Sequence, residues 1–272
     1  MQTLAEIKQI LEERCMSPRH KLGQNFLIDH NLIRKLVDAS GVGDGDLVLE
    51  VGPGTGTMTE ELLDRGCRVV ACELDPEMAE LLRDRNGSRD GFRLIEGDCL
   101  ESKHEMSRAI AEVVGDEKFT LVANLPYGAA TPLMLALLLD WPTCVGQYVT
   151  IQREVADRLM AKPGSKSFGV ISVVAQLFAE VGLVAKLPRE CFWPQPDVAS
   201  AMVSIVPGDA HKDFDRRMFA AFCQKLLGQR RKQLGGLLGK EGVLPQGIHP
   251  TSRAESLSPS QFLGLYQAQP AR

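Results

Sequence analysis

The 272-residue sequence predicts an α/β fold: a mostly parallel, seven-stranded sheet with helices on both faces, followed by a small all-helical C-terminal domain. Short, nearly continuous apolar segments alternate with helical patterns through the first two thirds of the chain, as expected for a sheet covered on both sides. A glycine cluster directly follows the first apolar segment. After residue 207 strand patterns disappear and helical patterns remain, which indicates a second domain.

Each element is predicted from its local pattern. Strands are predicted where apolar residues run together, at residues 47–51, 68–73, 92–96, 119–123 and 145–151. Helices are predicted between and after them, at residues 57–65, 76–85, 132–139 and 154–161. Two later strand-like segments have no long helix between them and are typical of an antiparallel hairpin at a sheet edge, at residues 181–187 and 201–206.

The chain divides into three segments. An N-terminal segment, residues 1–45, carries helical patterns on either side of a loop at residues 21–25. The α/β domain spans residues 46–207. The remaining residues, 208–272, are predicted to be helical at 214–227, 230–238 and 259–266.

The composition excludes several classes of protein. Hydrophobic residues make up 44% and charged residues 24% of the chain, which excludes a disordered protein and a coiled coil. No apolar stretch approaches the ~20 residues of a membrane-spanning helix, and the N-terminus has no signal-peptide pattern. Seven cysteines without a C-x-x-C pair, and scattered histidines, argue against a metal site and for reduced thiols in the cytoplasm.

The C-terminal part is basic although the whole chain carries a net charge of −4. Residues 191–272 contain 10 Lys and Arg against 6 Asp and Glu, a distribution that favours an anionic partner. The segment at residues 229–232 is predicted to open a helix, on which Arg230, Arg231 and Lys232 would neutralise nucleic-acid phosphates. A solvated basic turn explains the same three residues equally well.

A glycine loop, Glu50-Val51-Gly52-Pro53-Gly54-Thr55-Gly56, follows the first predicted strand. Glycines there permit a sharp turn and a close approach of a ligand to the backbone. The spacing is G-x-G-x-G and therefore differs from the dinucleotide pattern G-x-G-x-x-G. The acidic Glu50 suits a cationic ligand such as S-adenosylmethionine better than a pyrophosphate.

Two further carboxylates end neighbouring strands. Glu73 lies 21 residues after Gly52, where a carboxylate accepts hydrogen bonds from a ribose diol. Asp98 ends the third strand and fits either an acceptor for an adenine amine or an N-cap of the following segment. Together with the glycine loop, these residues indicate a ligand that contains adenosine.

The tetrapeptide Asn124-Leu125-Pro126-Tyr127 ends the fourth strand. An exocyclic amine on a base is a poor nucleophile because its lone pair is delocalised into the ring. The Asn124 side-chain oxygen and a carbonyl directed outward by Pro126 would accept the amine N–H groups and free that lone pair. Tyr127 offers a ring on which an extruded base stacks. The tetrapeptide therefore predicts methylation of a base amine.

The tetrapeptide resembles the Asp/Asn-x-Pro-Phe/Tyr motif of amino-methyltransferases, and the chain resembles the KsgA family of small-subunit rRNA adenine N6,N6-dimethyltransferases. The resemblance implies a class I, Rossmann-like methyltransferase fold. Supporting motifs follow in order along nearly the whole chain, at residues 21–27, 50–56, 124–127 with 131–134, 152–159, 168–173, 192–200, 229–232 and 253–255.

The resemblance implies a role for each motif residue. Residues 23–27 would close over S-adenosylmethionine as a lid, and the glycine loop would contact its methionine part. The residues implied to bind this donor are Asn25, Leu27, Gly52, Glu73, Asp98 and Asn124. On the target side, residues 124–127 would face the amine, and Phe192 would supply a second aromatic face for the flipped base.

The resemblance also implies a substrate and a setting. Such enzymes transfer methyl groups to two adjacent adenosines in the 3′-terminal hairpin of 16S rRNA, within an assembling 30S subunit. We expect a cytoplasmic monomer that needs no metal. Two departures from the family pattern stand out. Residues 128–130, Gly-Ala-Ala, replace polar residues behind the site, and Asp197 and Ala199 replace a Lys and an Asp.

Other functions remain open at this point. A 23S rRNA adenine methyltransferase fits the same motifs, and so does a nonenzymatic ribosome-assembly or transcription factor on the same fold. The intact Gly52, Glu73, Asp98 and residues 124–127 argue against lost activity. The glycine spacing argues against a nicotinamide-dependent oxidoreductase.

Overall fold

The sheet of the computed structural model, which describes residues 1–102, 105–208, 214–239 and 242–270, has seven strands. They are β1 (Leu47–Val51), β2 (Arg68–Glu73), β3 (Phe92–Glu96), β4 (Phe119–Asn124), β5 (Cys144–Gln152), β6 (Ala179–Leu187) and β7 (Ser200–Pro207). Their spatial order is β3-β2-β1-β4-β5-β7-β6. The first five are parallel, whereas β7 is antiparallel to both β5 and β6. The predicted sheet and its antiparallel edge pair are confirmed.

Helices cover both faces of this sheet. They are α1 (Leu4–Glu13), α2 (His30–Ser40), α3 (Thr57–Asp64), α4 (Pro76–Asn86), α5 (Arg108–Val114), α6 (Tyr127–Asp140), α7 (Arg153–Leu159), α8 (Val170–Phe178), α9 (Arg216–Leu227), α10 (Leu234–Leu238) and α11 (Pro259–Gln267). Side chains of β1 show the two faces, because Leu49 and Val51 join one buried cluster and Val48 joins another. Burying such a side chain stabilises the fold by ~1.5–3 kcal/mol.

Three helices differ from the sequence prediction. Helix α6 begins at Tyr127 instead of residue 132, because the Pro126 carbonyl accepts hydrogen bonds from the N–H groups of Ala129 and Ala130. The interior Pro132 does not end the helix. Helices α5 and α8 were not predicted. Helix α8 is apolar at nearly every position, and its valines and isoleucine favour a strand as much as a helix, so its sequence does not distinguish the two.

The C-terminal helices pack against α8 through aromatic rings. Phe219 contacts Phe178 at a centroid distance of 5.8 Å and Tyr266 at 5.5 Å, both edge-to-face. One buried hydrophobic cluster therefore continues from the sheet domain into the C-terminal helices. The predicted boundary at residue 208 stays a prediction about folding units, since the packing is continuous there.

The prediction of a helix over residues 230–238 was wrong at its start. Helix α10 begins at Leu234, and the preceding residues, 229–232, form a turn that we call the basic turn. Arg230 Nε donates a hydrogen bond to Glu255 Oε2, on a later segment, at 2.8 Å. A tertiary ion pair thus replaces the local helical geometry that the sequence pattern favoured.

The N-terminal segment packs on the α/β domain and reaches over it. Ile7 and Leu11 of α1 form a buried cluster with Phe26, Met78 and Leu81, which confirms the predicted amphipathic helix. A short turn at His20–Leu22 follows, and Phe26–Leu27 then pairs antiparallel with Phe192–Trp193. The segment before Phe26 is therefore stretched across the carboxyl edge of the sheet.

The seven cysteines are unpaired thiols, and five of them are buried. Burial raises the pKa of Cys99 and of Cys144 to about 12, so these thiols act as small apolar residues. Within the described ranges, no set of three His, Cys, Asp or Glu side chains is placed to hold a metal ion. None of the helices among those residues is both long and apolar enough to span a membrane.

Candidate active site

A cavity of about 470 Å³ opens at the carboxyl ends of β1, β2 and β4. In parallel sheets these ends meet at one edge, where ligands bind. The structure brings the glycine loop, Glu73, Asp98 and residues 124–127 together around this cavity. Residues 20–27 line its remaining side, and we call residues 19–27 the lid.

Two glycines are required by the shape of the loop. Gly52 has a φ of +70°, and a Cβ there would lie 2.9 Å from the ring of Pro126. Gly54 has a φ of +58°, and a Cβ would lie 2.8 Å from the Phe26 ring. Any larger residue would therefore push either the target-side motif or the lid away from the cavity.

Glu73 is fixed by the backbone before any ligand arrives. It is 6% exposed, and its carboxylate accepts hydrogen bonds from the N–H groups of Gly54 at 3.1 Å and Asp75 at 2.9 Å. Burial raises the pKa of Glu73, whereas these two N–H groups act to lower it. Each carboxylate oxygen retains lone-pair capacity for a further donor, such as a ribose hydroxyl.

Glu50 is a second buried carboxyl group of the cavity wall. The Thr59 hydroxyl donates a hydrogen bond to it at 2.6 Å. Burial raises the pKa of Glu50 to about 8, while Thr59 acts to lower it and the charge of Glu73 to raise it. A carboxyl group in this state ionises most readily when a cation enters the cavity.

Asp98 lies at the open side of the cavity. Its side chain is exposed, and one carboxylate oxygen accepts a hydrogen bond from the Leu100 N–H at 2.9 Å. The alternative reading as a helix N-cap was wrong, because Leu100–Ser102 is a short strand. The other oxygen is available to an amine at the cavity mouth.

Asn124 joins the lid to the target side of the cavity. Its Nδ2 donates a hydrogen bond to the backbone carbonyl of Asn25 at 2.9 Å. Because an amide has one donating and one accepting end, Oδ1 stays free to accept. Among the described residues, none donates to the neighbouring Leu125 carbonyl. The Asn124 Oδ1 and the Leu125 carbonyl are therefore two neighbouring free acceptors at the end of β4.

Tyr127 is the first residue of α6 and is half-buried. Its hydroxyl is hydrogen-bonded to the buried Ser200 hydroxyl at 3.2 Å, and burial raises its pKa. Residues 128–130 lie in the hydrogen-bonded first turn of α6. The departure from the family pattern at these positions therefore leaves an ordered turn behind the site.

The predicted lid residues and Phe192 have different placements. Asn25 and Leu27 both line the cavity. Phe192 is only 2% exposed and packs in a buried cluster with Leu27. Its ring is not part of the cavity lining; Phe192 instead pairs with Leu27 of the lid and is covered by that cluster. Its stacking role stays a prediction.

Thr57 is a residue of the site that sequence reasoning missed. Its hydroxyl lines the cavity at the first turn of α3, is buried, and has no hydrogen-bond partner among the described residues. Its position directly after the last glycine of the loop was the signal that could have identified it. An unpaired donor at a helix N-terminus favours an anionic group such as a carboxylate.

The basic turn does not line this cavity. Arg230 forms an ion pair with Glu255 and donates to the backbone carbonyls of Ser165 and Lys166 at 3.2 and 3.1 Å. Arg231 and Lys232 are exposed. The turn thus contains one guanidinium with a structural role and two cations that extend into solvent.

Comparison with known proteins shows the family to which the chain is related. The chain matches the model of the ribosomal RNA adenine dimethylase family over residues 16–268. A ribosomal RNA small subunit methyltransferase A from Bifidobacterium adolescentis is 38% identical over 283 residues, which covers 97% of this chain and 92% of the relative. Another with that name, from Moorella thermoacetica, is 35% identical over 277 residues and covers 94% of each chain.

Solved structures share the fold. A dimethyladenosine transferase from Plasmodium falciparum has a TM-score of 0.72 at 22% identity, covering 88% of this chain and 95% of that one. The 23S rRNA methyltransferase ErmE has a TM-score of 0.69 at 23% identity, covering 90% and 99%. At these identities the likeness shows the Rossmann-like methyltransferase fold alone.

Proposed function

The chain belongs to the ribosomal RNA adenine dimethylase family, and from that membership we propose that it dimethylates adenosines of 16S rRNA. It is an S-adenosylmethionine-dependent rRNA (adenine-N6,N6)-dimethyltransferase. Its targets are two adjacent adenosines in the 3′-terminal hairpin. The single observation that carries the proposal is the pair of free acceptors at Asn124 and Leu125, beside the cavity that the glycine loop forms.

The cavity residues fit S-adenosylmethionine. Gly52 and Gly54 allow the left-handed turns and the close contacts with Pro126 and Phe26 that shape the cavity wall. The unpaired Thr57 hydroxyl suits the carboxylate of the methionine part. Glu73 is held ready to accept from the ribose hydroxyls, and Asp98 from the adenine amine. When bound, the donor supplies an electrophilic methyl group on its sulfonium.

The target side acts on the amine. Asn124 Oδ1 and the Leu125 carbonyl accept its two N–H groups, so that the nitrogen lone pair turns toward the donor. Tyr127 holds the extruded base by stacking, and its bond to Ser200 fixes the plane of the ring. Alignment provides most of the acceleration. No general base is required before transfer, because the amine proton becomes acidic only after methylation.

The setting follows from the substrate. We propose that the enzyme acts on 16S rRNA within an assembling 30S subunit, in the cytoplasm. We also propose that it acts as a monomer. Arg231 and Lys232 are the residues of the basic turn that are available to RNA phosphates.

The other functions are not favoured. The relatives are small-subunit methyltransferases by name, which disfavours a 23S rRNA target. A nonenzymatic factor would not need a buried, backbone-bound Glu73 or an Asn124 with a free acceptor. The buried acidic Glu50 and the G-x-G-x-G loop disfavour a nicotinamide cofactor, whose pyrophosphate is anionic.

The proposal is tested with the purified protein and labelled S-adenosylmethionine. Undermethylated 30S particles and 50S particles are offered separately, and the labelled nucleosides are identified by mass spectrometry. We expect N6,N6-dimethyladenosine at two adjacent positions of 16S rRNA and none in 23S rRNA. Label in 23S rRNA alone would support the 23S rRNA methyltransferase alternative, and binding of particles without any transfer would support the nonenzymatic factor.

A further inference from the structure

The lid is attached to the donor side of the cavity by a closed hydrogen-bond network around Asp75. Arg19 Nη1 donates to Asp75 Oδ1 at 2.8 Å, and Gln24 Nε2 donates to Asp75 Oδ2 at 2.8 Å. The backbone N–H of Arg19 donates to Gln24 Oε1, also at 2.8 Å. We call these three residues the Asp75 network. The Asp75 carboxylate therefore holds the lid at two positions, Arg19 and Gln24.

Asp75 also connects to the donor-binding residues. It is 1% exposed, and its backbone N–H donates to Glu73 Oε1 at 2.9 Å. Its side chain caps α4 by accepting from the Glu77 N–H at 3.2 Å. One buried residue thus joins the lid, the start of α4 and the carboxylate placed to hold the donor ribose.

The lid is attached at a second point, on the target side. The Asn25 carbonyl follows Gln24 directly in the chain and accepts the hydrogen bond from Asn124 Nδ2. That bond decides which end of the Asn124 amide faces the cavity. A displacement of Gln24 would move the Asn25 carbonyl and release the amide to rotate.

We propose that Asp75 is a positioning residue for methyl transfer. By holding Arg19 and Gln24, it keeps the lid across the donor cavity, and through Asn25 it keeps Asn124 Oδ1 directed at the target amine. The inference rests on the proposed function, because it assigns Asp75 a part in that reaction. Asp75 does not line the cavity and acts through the lid.

The test reverses the polarity of the bond between Gln24 and Asp75 in the full-length chain. Gln24→Glu sets one carboxylate against another, and Asp75→Asn sets two amide N–H groups against each other. In the double variant the introduced amide donates to the introduced carboxylate, and the bond is restored in the opposite direction. Asn caps helices as well as Asp does, so Asp75→Asn preserves the α4 cap.

Three measurements report on the lid: the Kd of S-adenosylmethionine, the rate of trypsin cleavage and kcat. We expect each single variant to raise the Kd of S-adenosylmethionine ~10-fold or more, since a charge-assisted bond is lost. Trypsin should cleave after Arg19 and Lys21 faster than in the wild type, and kcat should fall. The double variant should recover all three towards wild-type values. Asp215→Asn makes the same change at the cap of α9 and should alter none of them.

Unchanged donor affinity and proteolysis in both single variants would overturn the proposal, and so would a double variant no better than the worse single one. A structural role limited to capping predicts no such rescue. Proteolysis needs neither donor nor RNA, and donor binding needs no RNA. A wild-type protein with a protected lid that fails to methylate 16S rRNA would contradict the proposed function and, with it, the role of Asp75 in transfer. Unchanged proteolysis and donor affinity in the single variants of an active enzyme would contradict the role of Asp75 alone.

Discussion

The donor cavity and the basic turn both carry charged side chains, but they hold them in different ways. In the cavity, Glu73 is buried and bound by two backbone N–H groups, and Asn124 is tied to the lid. In the basic turn, Arg231 and Lys232 extend into solvent, and Arg230 is occupied by Glu255.

This difference separates groups that are oriented before the ligand arrives from groups that are oriented by it. A preoriented polar group in a partly dry site acts at full strength, and water does not replace it when it is removed. An exposed cation is screened by salt, and neighbouring cations partly compensate for its removal. We therefore expect large and specific effects in the cavity and small, salt-dependent effects in the turn.

Asn124→Ala should give the largest effect. It removes the free Oδ1 acceptor, and methyl transfer should fall by ~10²–10³, as when one preorganised group at a reacting centre is deleted. Donor affinity should fall only modestly. Single-turnover transfer to immature 30S particles measures the methyl-transfer rate, and calorimetry measures the donor affinity. Asn124→Asp keeps an acceptor but loses the donor to Asn25, so it separates the two roles. A wild-type rate in Asn124→Ala would contradict the amine-activation mechanism.

Glu73→Ala should weaken donor binding by ~1–3 kcal/mol, because the ribose hydroxyls lose their acceptor and are left unpaired in the buried site. Isothermal calorimetry with S-adenosylmethionine gives the value directly. The matched control is Glu96→Ala, which removes a carboxylate from the end of the adjacent strand outside the cavity. Equal affinity in the Glu73 variant and the wild type would remove Glu73 from the binding site.

Substitutions of Tyr127 show whether its ring or its hydroxyl is required for binding and methylation of the target base. Tyr127→Ala should lower apparent RNA affinity and transfer by ~1–3 kcal/mol if the base stacks on the ring. Tyr127→Phe keeps the ring and loses only the bond to Ser200, so it should retain most activity. Steady-state kinetics with particle substrates compares the two. If both variants lose activity equally, the hydroxyl has the essential role and stacking does not.

Glu50→Gln should change how stability depends on pH. The pKa of Glu50 is raised from 4.5 to about 8 in the folded chain, so the fold is stabilised by its bound proton at low pH. That contribution is complete below pH 4.5 and disappears as the pH rises through about 8. The variant should therefore gain stability relative to the wild type between these values, in thermal unfolding without ligand. Parallel curves from pH 5 to 9 would show that Glu50 does not take up this proton.

The basic turn should give the smallest effect. Replacing Arg231 and Lys232 with Ala should reduce the salt slope of RNA binding by ~0.7–0.9 per lost phosphate contact and leave donor affinity unchanged. Arg34 and Lys35, exposed on α2, provide a pair of equal charge for comparison. Arg230→Ala should instead lower the thermal midpoint, because it breaks the ties to Glu255 and residues 165–166. If the Arg231/Lys232 variant and the Arg34/Lys35 variant have the same salt slope, the basic turn is a solvated surface that does not bind RNA.

The parts of the site that the sequence predicted are those that follow from sheet geometry. Gly52, Glu73, Asp98 and Asn124 each end or follow a parallel strand, and such strand ends meet at one edge. Spacing along the chain was therefore enough to bring them together. The antiparallel edge of the sheet was predictable because no long helix separates its two strands.

The remaining features depend on contacts between distant segments. The partner of Arg230 lies 25 residues away at Glu255, and that of Arg19 lies 56 residues away at Asp75. Local patterns contain no signal for either. Phe192 was placed by its motif, whereas its burial depends on pairing with Leu27. Sequence patterns thus located the residues that line the cavity and missed the contacts that orient them.

The close approach of Gly52 to Pro126 has a consequence for engineering. A single methyl group added at residue 52 would meet the proline ring at 2.9 Å, so the donor loop and the target motif are in direct contact. Libraries that aim to retarget the enzyme to another base should hold this pair constant. Diversity is better placed at Tyr127 and in the exposed part of the turn after it, where a new base shape can be accepted without disturbing the distance between donor and acceptor.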